Sequence, residues 1–212
     1  KMRIFNSDGS EAEMCGNGAR CFGNFAAALL HHDKTAPLPF ETMAGVVTAT
    51  FEKDGNVTVN LTNPHSMQLF VLNADPTVGA DVHFLNTGVP HAVAFLDKLE
   101  DLDIPRLGAY LRYHEAFSPK GTNANFARIL SPGHIAIRTY ERGVEDETLA
   151  CGTGMTACAL LHAVLADAPS PIQVDVAGGD TLKVGFQRTG DRFTDVTLTG
   201  PADLVFTGDI QI

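Results

Sequence analysis

Two stretches of this chain are apolar on nearly every side of a helix, and the rest alternates in short bursts. Ala19 to His32 contains Phe22, Phe25, Ala26, Ala27, Ala28, Leu29 and Leu30, with Gly23 its internal weak point and Pro37 beyond its end. Met155 to Leu165 runs almost without a charge through Ala157, Leu160, Leu161, Val164 and Leu165. Helices apolar nearly all round are buried helices, so each predicts a sheet wrapped about it. Strands are expected over Val46 to Phe51 and Val57 to Leu61, joined by the hairpin signal Asp54-Gly55-Asn56. Further strands are expected over Val82 to Leu85, Ala92 to Leu96, Asn125 to Leu130, Ile135 to Tyr140, Ile172 to Val176, Leu182 to Phe186 and Asp195 to Thr199. A shorter helix should start near Ile104-Pro105, with proline in its first turn, and run to about Tyr113. Lys1 to Phe5 reads as a strand already under way, with no lead-in.

The pattern predicts an α+β fold of two pseudo-symmetric units, each a curved, mostly antiparallel sheet around one apolar helix. Residues 1–62 would form the first unit, 63–204 the second, and 205–212 a tail returning to the first. No apolar run approaches membrane-spanning length, and nothing reads as a signal peptide. The formal charge of −10 argues against nucleic acid or an anionic membrane as partner, but not against a small anionic substrate, which local donors decide. Four cysteines without a signal sequence fit a reducing cytosol better than a disulfide framework, so a cytoplasmic location is expected.

Each apolar run is opened by a Cys-Gly-x-Gly tetrad, Cys15-Gly16-Asn17-Gly18 and Cys151-Gly152-Thr153-Gly154. A single cysteine before glycine is usually a buried small hydrophobe. Two, each at an expected helix N-terminus, place two thiols where unpaired N–H groups and the helix dipole favour a thiolate. The glycines let backbone N–H groups approach a ligand closely and form a nest for a carboxylate. A matched pair of tunable thiols suits one base and one acid, which together can invert a carbon centre. Cys21 and Cys158 lie inside the helical runs, where core packing is the favoured reading. A zinc site built from the four cysteines lacks the short spacing of structural sites.

Glu141-Arg142-Gly143 precedes the second tetrad. It is either a solvated charged loop or, through Arg142, a bidentate carboxylate clamp. Asn6 and Asn123 are turn formers or ligands, and His91, after Gly88-Val89-Pro90, is structural or points into a cleft. No phosphate-binding glycine loop and no pyridoxal lysine are recognisable, so any chemistry should need no cofactor and no metal.

The run from Arg3-Ile4-Phe5-Asn6 through Cys15-Gly16-Asn17-Gly18-Ala19-Arg20-Cys21 resembles the first cysteine motif of the diaminopimelate epimerase family. Glu141-Arg142-Gly143 with Glu147 to Gly154 resembles its second. The resemblance covers essentially the whole chain. It implies cofactor-free interconversion of LL- and meso-diaminopimelate, on the route to lysine and peptidoglycan, with a small molecule as the partner and a homodimer left open. It implies Cys15 and Cys151 as the acid/base pair, poised by His91 and Glu141 respectively. The backbone N–H groups of Gly16, Asn17, Gly152 and Thr153 would hold the reacting carboxylate. Asn6, Asn123 and Arg142 would bind the distal end, and Glu141 its ammonium. Gly88-Val89-Pro90-His91 departs from the family's Gly-Asn-Pro-His, so one polar contact is missing or is supplied by Asn86. Family members also begin a few dozen residues earlier, and a unit without those opening strands is expected to expose a sheet edge. A proline or hydroxyproline racemase, a phenazine-type isomerase and a non-catalytic amino-acid-binding module are the rival readings.

Overall fold

The computed structural model describes residues 1–5, 9, 11, 12 and 14–209, which divide into two compact units, Lys1–Asn60 with Thr199–Ile212, and Leu61–Leu198. In the first, β1 (Ile4–Phe5) pairs antiparallel with β2 (Glu11–Ala12), and α1 (Gly16–Leu29) follows. β3 (Leu38–Thr42), β4 (Gly45–Phe51) and β5 (Val57–Asn60) then form an antiparallel meander. β3 lies just beyond Pro37 and does not read as a strand in the sequence, because Pro39 interrupts it. Proline is tolerated there, since β3 has a neighbour on one side only.

α1 packs on β3, β4 and β5 with its small residues, Gly16, Ala19, Gly23 and Ala27, together with Arg20. Gly23 is needed there, since a Cβ would come within 2.6 Å of the Ala49 Cβ. The large apolar residues point the other way, with Phe25 61% and Leu29 67% exposed. The expectation of a helix buried all round therefore fails for α1, because three strands cover one side only. Cys21 is exposed with that outer face, so its expected place in a core is also corrected.

The second unit contains β6 (His65–Asp75), β7 (Ala80–Asn86), β8 (Pro90–Phe95), α2 (Ile104–Arg112), β9 (Asn123–Ser131), β10 (His134–Glu141) and β11 (Asp146–Thr148). These are followed by α3 (Gly152–Ala166), β12 (Ile172–Asp175), β13 (Thr181–Thr189) and β14 (Arg192–Gly200), whose last two residues belong to the first unit. The strands run in the order β14-β13-β12-β10-β9-β8-β7-β6, with β11 added on β10. β8–β9 and β10–β12 are parallel, while β6–β7, β7–β8, β9–β10, β10–β11 and β12–β13 are antiparallel. β6 is the longest strand and has no counterpart in the sequence reading. Its pairing with β7 shifts register three times, and Ser66, Phe70 and Ala74 have positive φ, which breaks the two-residue period.

α2 packs on β9, β10 and β11 and shares a core with Val82, Ala92, Ala94, Ala124 and Phe126, which emerge on one face of β7, β8 and β9. α2 is capped by Asp103, whose carboxylate accepts from Arg106 N–H at 3.2 Å, and Gly108 lets the helix settle on the Tyr140 ring, where any Cβ would collide. The opposite face surrounds α3, which touches β7, β8, β9, β10, β12 and β13 and is buried from Gly154 to Ala163. Here the expected fully wrapped helix is found. The architecture is the α+β class expected, a mostly antiparallel sheet with few helices.

Candidate active site

Both tetrad cysteines are helix N-caps. Cys15 (φ −141°, ψ 113°) precedes Gly16 of α1, and its sulfur accepts from Gly18 N–H at 3.4 Å. Cys151 (φ −119°, ψ 108°) precedes Gly152 of α3 and makes no side-chain cap; its sulfur lies 3.5 Å from Thr153 Oγ1. In each helix the cap carbonyl takes the fourth amide, Ala19 or Met155, at 2.8 Å. The amides before it precede any carbonyl of the same helix able to bond them. Positive dipole ends and first-turn N–H groups thus sit beside both sulfurs. Burial pushes the Cys158 thiol up, with the nearby Cys151 a second cause, so Cys158 stays a core thiol.

In the first unit, Asn17 faces back along α1, where its Oδ1 accepts from Arg20 at 3.0 Å. The Arg20 guanidinium is buried and also donates to Pro201 O at 3.4 Å. Asn6 lies outside the described residues.

In the second unit the remaining candidates gather at the N-terminal end of α3. His91 on β8 is in register with Asn123 on β9, so both side chains emerge on the α3 face. Asn123 is buried and ties the start of β8 to the turn after β10: its Nδ2 donates to Pro90 O at 2.9 Å and its Oδ1 accepts from Arg142 N–H at 2.8 Å. The Arg142 guanidinium donates to Lys120 O at 3.2 Å. Glu141, the last residue of β10, is half-buried beside it. In the loop before His91, Asn86 Oδ1 accepts from Gly88 N–H at 2.9 Å, so that asparagine braces its own turn. Thr87 Oγ1 donates to Thr153 O at 2.9 Å and fastens this loop to the first turn of α3.

His91 is fully buried, and burial, with the Arg142 charge second, pushes its pKa down to about 3. Its Nδ1 lies 3.1 Å from Asn125 Nδ2. Asn125 also donates to Ala92 O at 3.0 Å and accepts from Thr139 Oγ1 at 3.0 Å. Gly154, the last residue of the second tetrad, lies against this amide, and a Cβ there would run into Asn125 Oδ1. Asn125, Thr139 and Thr87 are the site residues that sequence reasoning missed. Only Asn125 carried a signal, since it lies two residues from Asn123 on one strand and so shares its face.

The diaminopimelate epimerase family profile matches residues 1–67 and 83–205. A diaminopimelate epimerase of Hydrogenobaculum is 43% identical over 210 residues, which cover 97% of this chain and 73% of that protein. One of Aquifex aeolicus is 43% identical over 214 residues, covering 100% and 74%. Among solved structures, a probable proline racemase from Agrobacterium radiobacter superposes with a TM-score of 0.66 at 20% identity, covering 94% of this chain and 68% of that one. A Bacillus anthracis phenazine biosynthesis protein of the PhzF family superposes with a TM-score of 0.65 at 15% identity, covering 94% and 76%. At such identities these two likenesses speak for the fold alone.

Proposed function

The chain belongs to the diaminopimelate epimerase family, and from that premise we propose that it converts LL-diaminopimelate to meso-diaminopimelate by a two-cysteine acid/base reaction. It is an isomerase, and its product serves lysine biosynthesis. One observation carries the mechanism: Cys15 and Cys151 both occupy the N-cap of a helix that opens with glycine. One cysteine, as thiolate, takes the α-proton; the electron pair left on carbon spreads into the carboxylate; the other, as thiol, delivers a proton to the opposite face. The reverse reaction exchanges the roles. The amides of Gly16, Asn17, Gly152 and Thr153, at the positive ends of two helices, stabilise the charge that develops on the carboxylate. Each half of the chain contributes one thiol.

In this reading Arg142, Glu141, Asn6 and Asn123 recognise the distal amino-acid end, which orients the substrate and rejects shorter amino acids. Asn123 contributes what its two backbone contacts leave, one N–H and one oxygen lone pair. His91 poises Cys15 and Glu141 poises Cys151. The reaction is taken to run in the cytosol without cofactor, metal, nucleic acid or membrane. No described helix is long and apolar enough to cross a bilayer. Light scattering distinguishes a single chain from a homodimer. A proline racemase is the weaker reading, because that likeness rests on 20% identity against 43% for the diaminopimelate epimerases.

Proton NMR in D₂O under reductant tests the assignment. Loss of the α-proton signal of LL-diaminopimelate, with L-proline untouched, is the expected result. Exchange with L-proline alone would move the chain to the racemase branch, and exchange with neither would overturn the activity proposed here and leave the family membership standing.

A further inference from the structure

His91 and Asn125 form a buried pair whose protons can be placed by elimination. The Ala92 carbonyl only accepts, so the Asn125 atom 3.0 Å from it is the amide nitrogen. Its other amide atom is then the oxygen, which matches the Thr139 hydroxyl donating at 3.0 Å. The second N–H of that nitrogen is left for His91 Nδ1 at 3.1 Å, which must accept. A neutral imidazole with an accepting Nδ1 carries its proton on Nε2. Among the described residues, Nε2 of His91 is buried and without a partner. An unpaired buried donor costs about 1–3 kcal/mol, and such a group invites a function.

We propose that Asn125 is a positioning residue that locks His91 in its Nε2–H tautomer, so that His91 serves the reaction as a fixed hydrogen-bond donor to an anion and never as a proton acceptor. The proposal rests on the epimerase reading, in which His91 supports a thiolate. It also explains why an amide and not a carboxylate stands at Asn125. Aspartate there would only accept, would draw the imidazole proton to Nδ1 and would turn a lone pair at Nε2 toward the anion. The Ala92 carbonyl keeps the amide from flipping, and Gly154 leaves room for its oxygen. The low proton affinity of the buried ring maintains the neutral form across the working range.

Nitrogen-15 NMR of the labelled chain near neutral pH reads the tautomer directly from two-bond correlations of the ring, with His91 assigned as the ring lost in His91→Gln. The expected result is a protonated Nε2 and a bare Nδ1, moving to a protonated Nδ1 in Asn125→Asp. In the D₂O exchange assay Asn125→Asp should then lose between about 10- and 10⁴-fold in kcat, the range over which an orienting partner or a wrong tautomer acts, with KM nearly unchanged. A protonated Nδ1 in the unsubstituted protein would overturn the proposal. So would an unmoved tautomer in a folded Asn125→Asp, or a loss confined to KM. The unsubstituted spectrum needs no variant to fold and no substrate. A chain with the Nε2–H tautomer but no exchange would therefore sink the epimerase reading and leave the lock standing.

Discussion

The helices that begin at Gly16 and Gly152 are each capped by a cysteine, yet six strands surround one while three flank the other. α3 is buried through its middle, and α1 turns Phe25, Leu29 and Cys21 outward. Their polar surroundings differ as well. The strands around α3 bring His91, Asn123, Asn125 and Thr139, all buried, to its N-terminal end, whereas no strand packed on α1 carries a histidine. The chemistry of an N-cap thiol needs only the first turn of its helix. The rest can be packed in quite different ways, and how apolar a helix is says what it can bury, not what is there to cover it.

If the two caps are chemical equals despite this asymmetry, Cys15→Ala and Cys151→Ala should each lower epimerisation by about 10²–10⁴-fold or more, read as loss of substrate turnover. Near-normal turnover in either would break the equivalence. Below the caps the helices should part. Leu160→Ala, at a fully buried position of α3, should cost about 2–5 kcal/mol in denaturant unfolding. Leu29→Ala, at an exposed position of α1, should stay within about 0.5 kcal/mol. Equal costs would mean that the outer face of α1 is covered in solution.

The buried imidazole beside α3 adds a pH signature that α1 lacks. With its folded pKa near 3, below the ordinary value of 6.5, His91 binds its proton less readily in the folded state than in the unfolded one. Its contribution to stability is whole above pH 6.5 and is lost as pH falls toward 3, at up to about 1.4 kcal/mol per pH unit. Comparing unfolding at pH 7 and about pH 5, His91→Gln should show the shallower loss; an unchanged slope would place a protonated ring at this position. The smallest contrast lies in the last glycine of each tetrad. Gly154→Ala must displace Asn125 and should cost about 1–3 kcal/mol, whereas at Gly18 a Cβ comes to 3.2 Å from the flexible end of Met2 and to an ordinary 3.6 Å from Cys15 Cβ and Sγ, and the cost should be below about 1 kcal/mol. Equal melting shifts would show that the Asn125 amide moves aside freely.

Much of the molecule was legible in its residues. Both cysteine-capped helices, α2 with its proline start and most strands followed from local spacing, because a helix cap and a two-residue alternation are written within a few positions. β3 and β6 were not, since a proline breaks the alternation in one and bulges break it in the other. The nature of the candidate site was also local: two thiols, each beside glycines at a helix start. What only the tertiary structure decided is which groups converge on α3. Thr87, His91, Asn125, Thr139 and Gly154 lie on five separate segments, and their hydrogen bonds exist only once β8, β9 and β10 are paired in register beside the helix. The outward face of α1 was decided at the same level. Nothing within a helix states how many strands will cover it, because burial is a property of its neighbours.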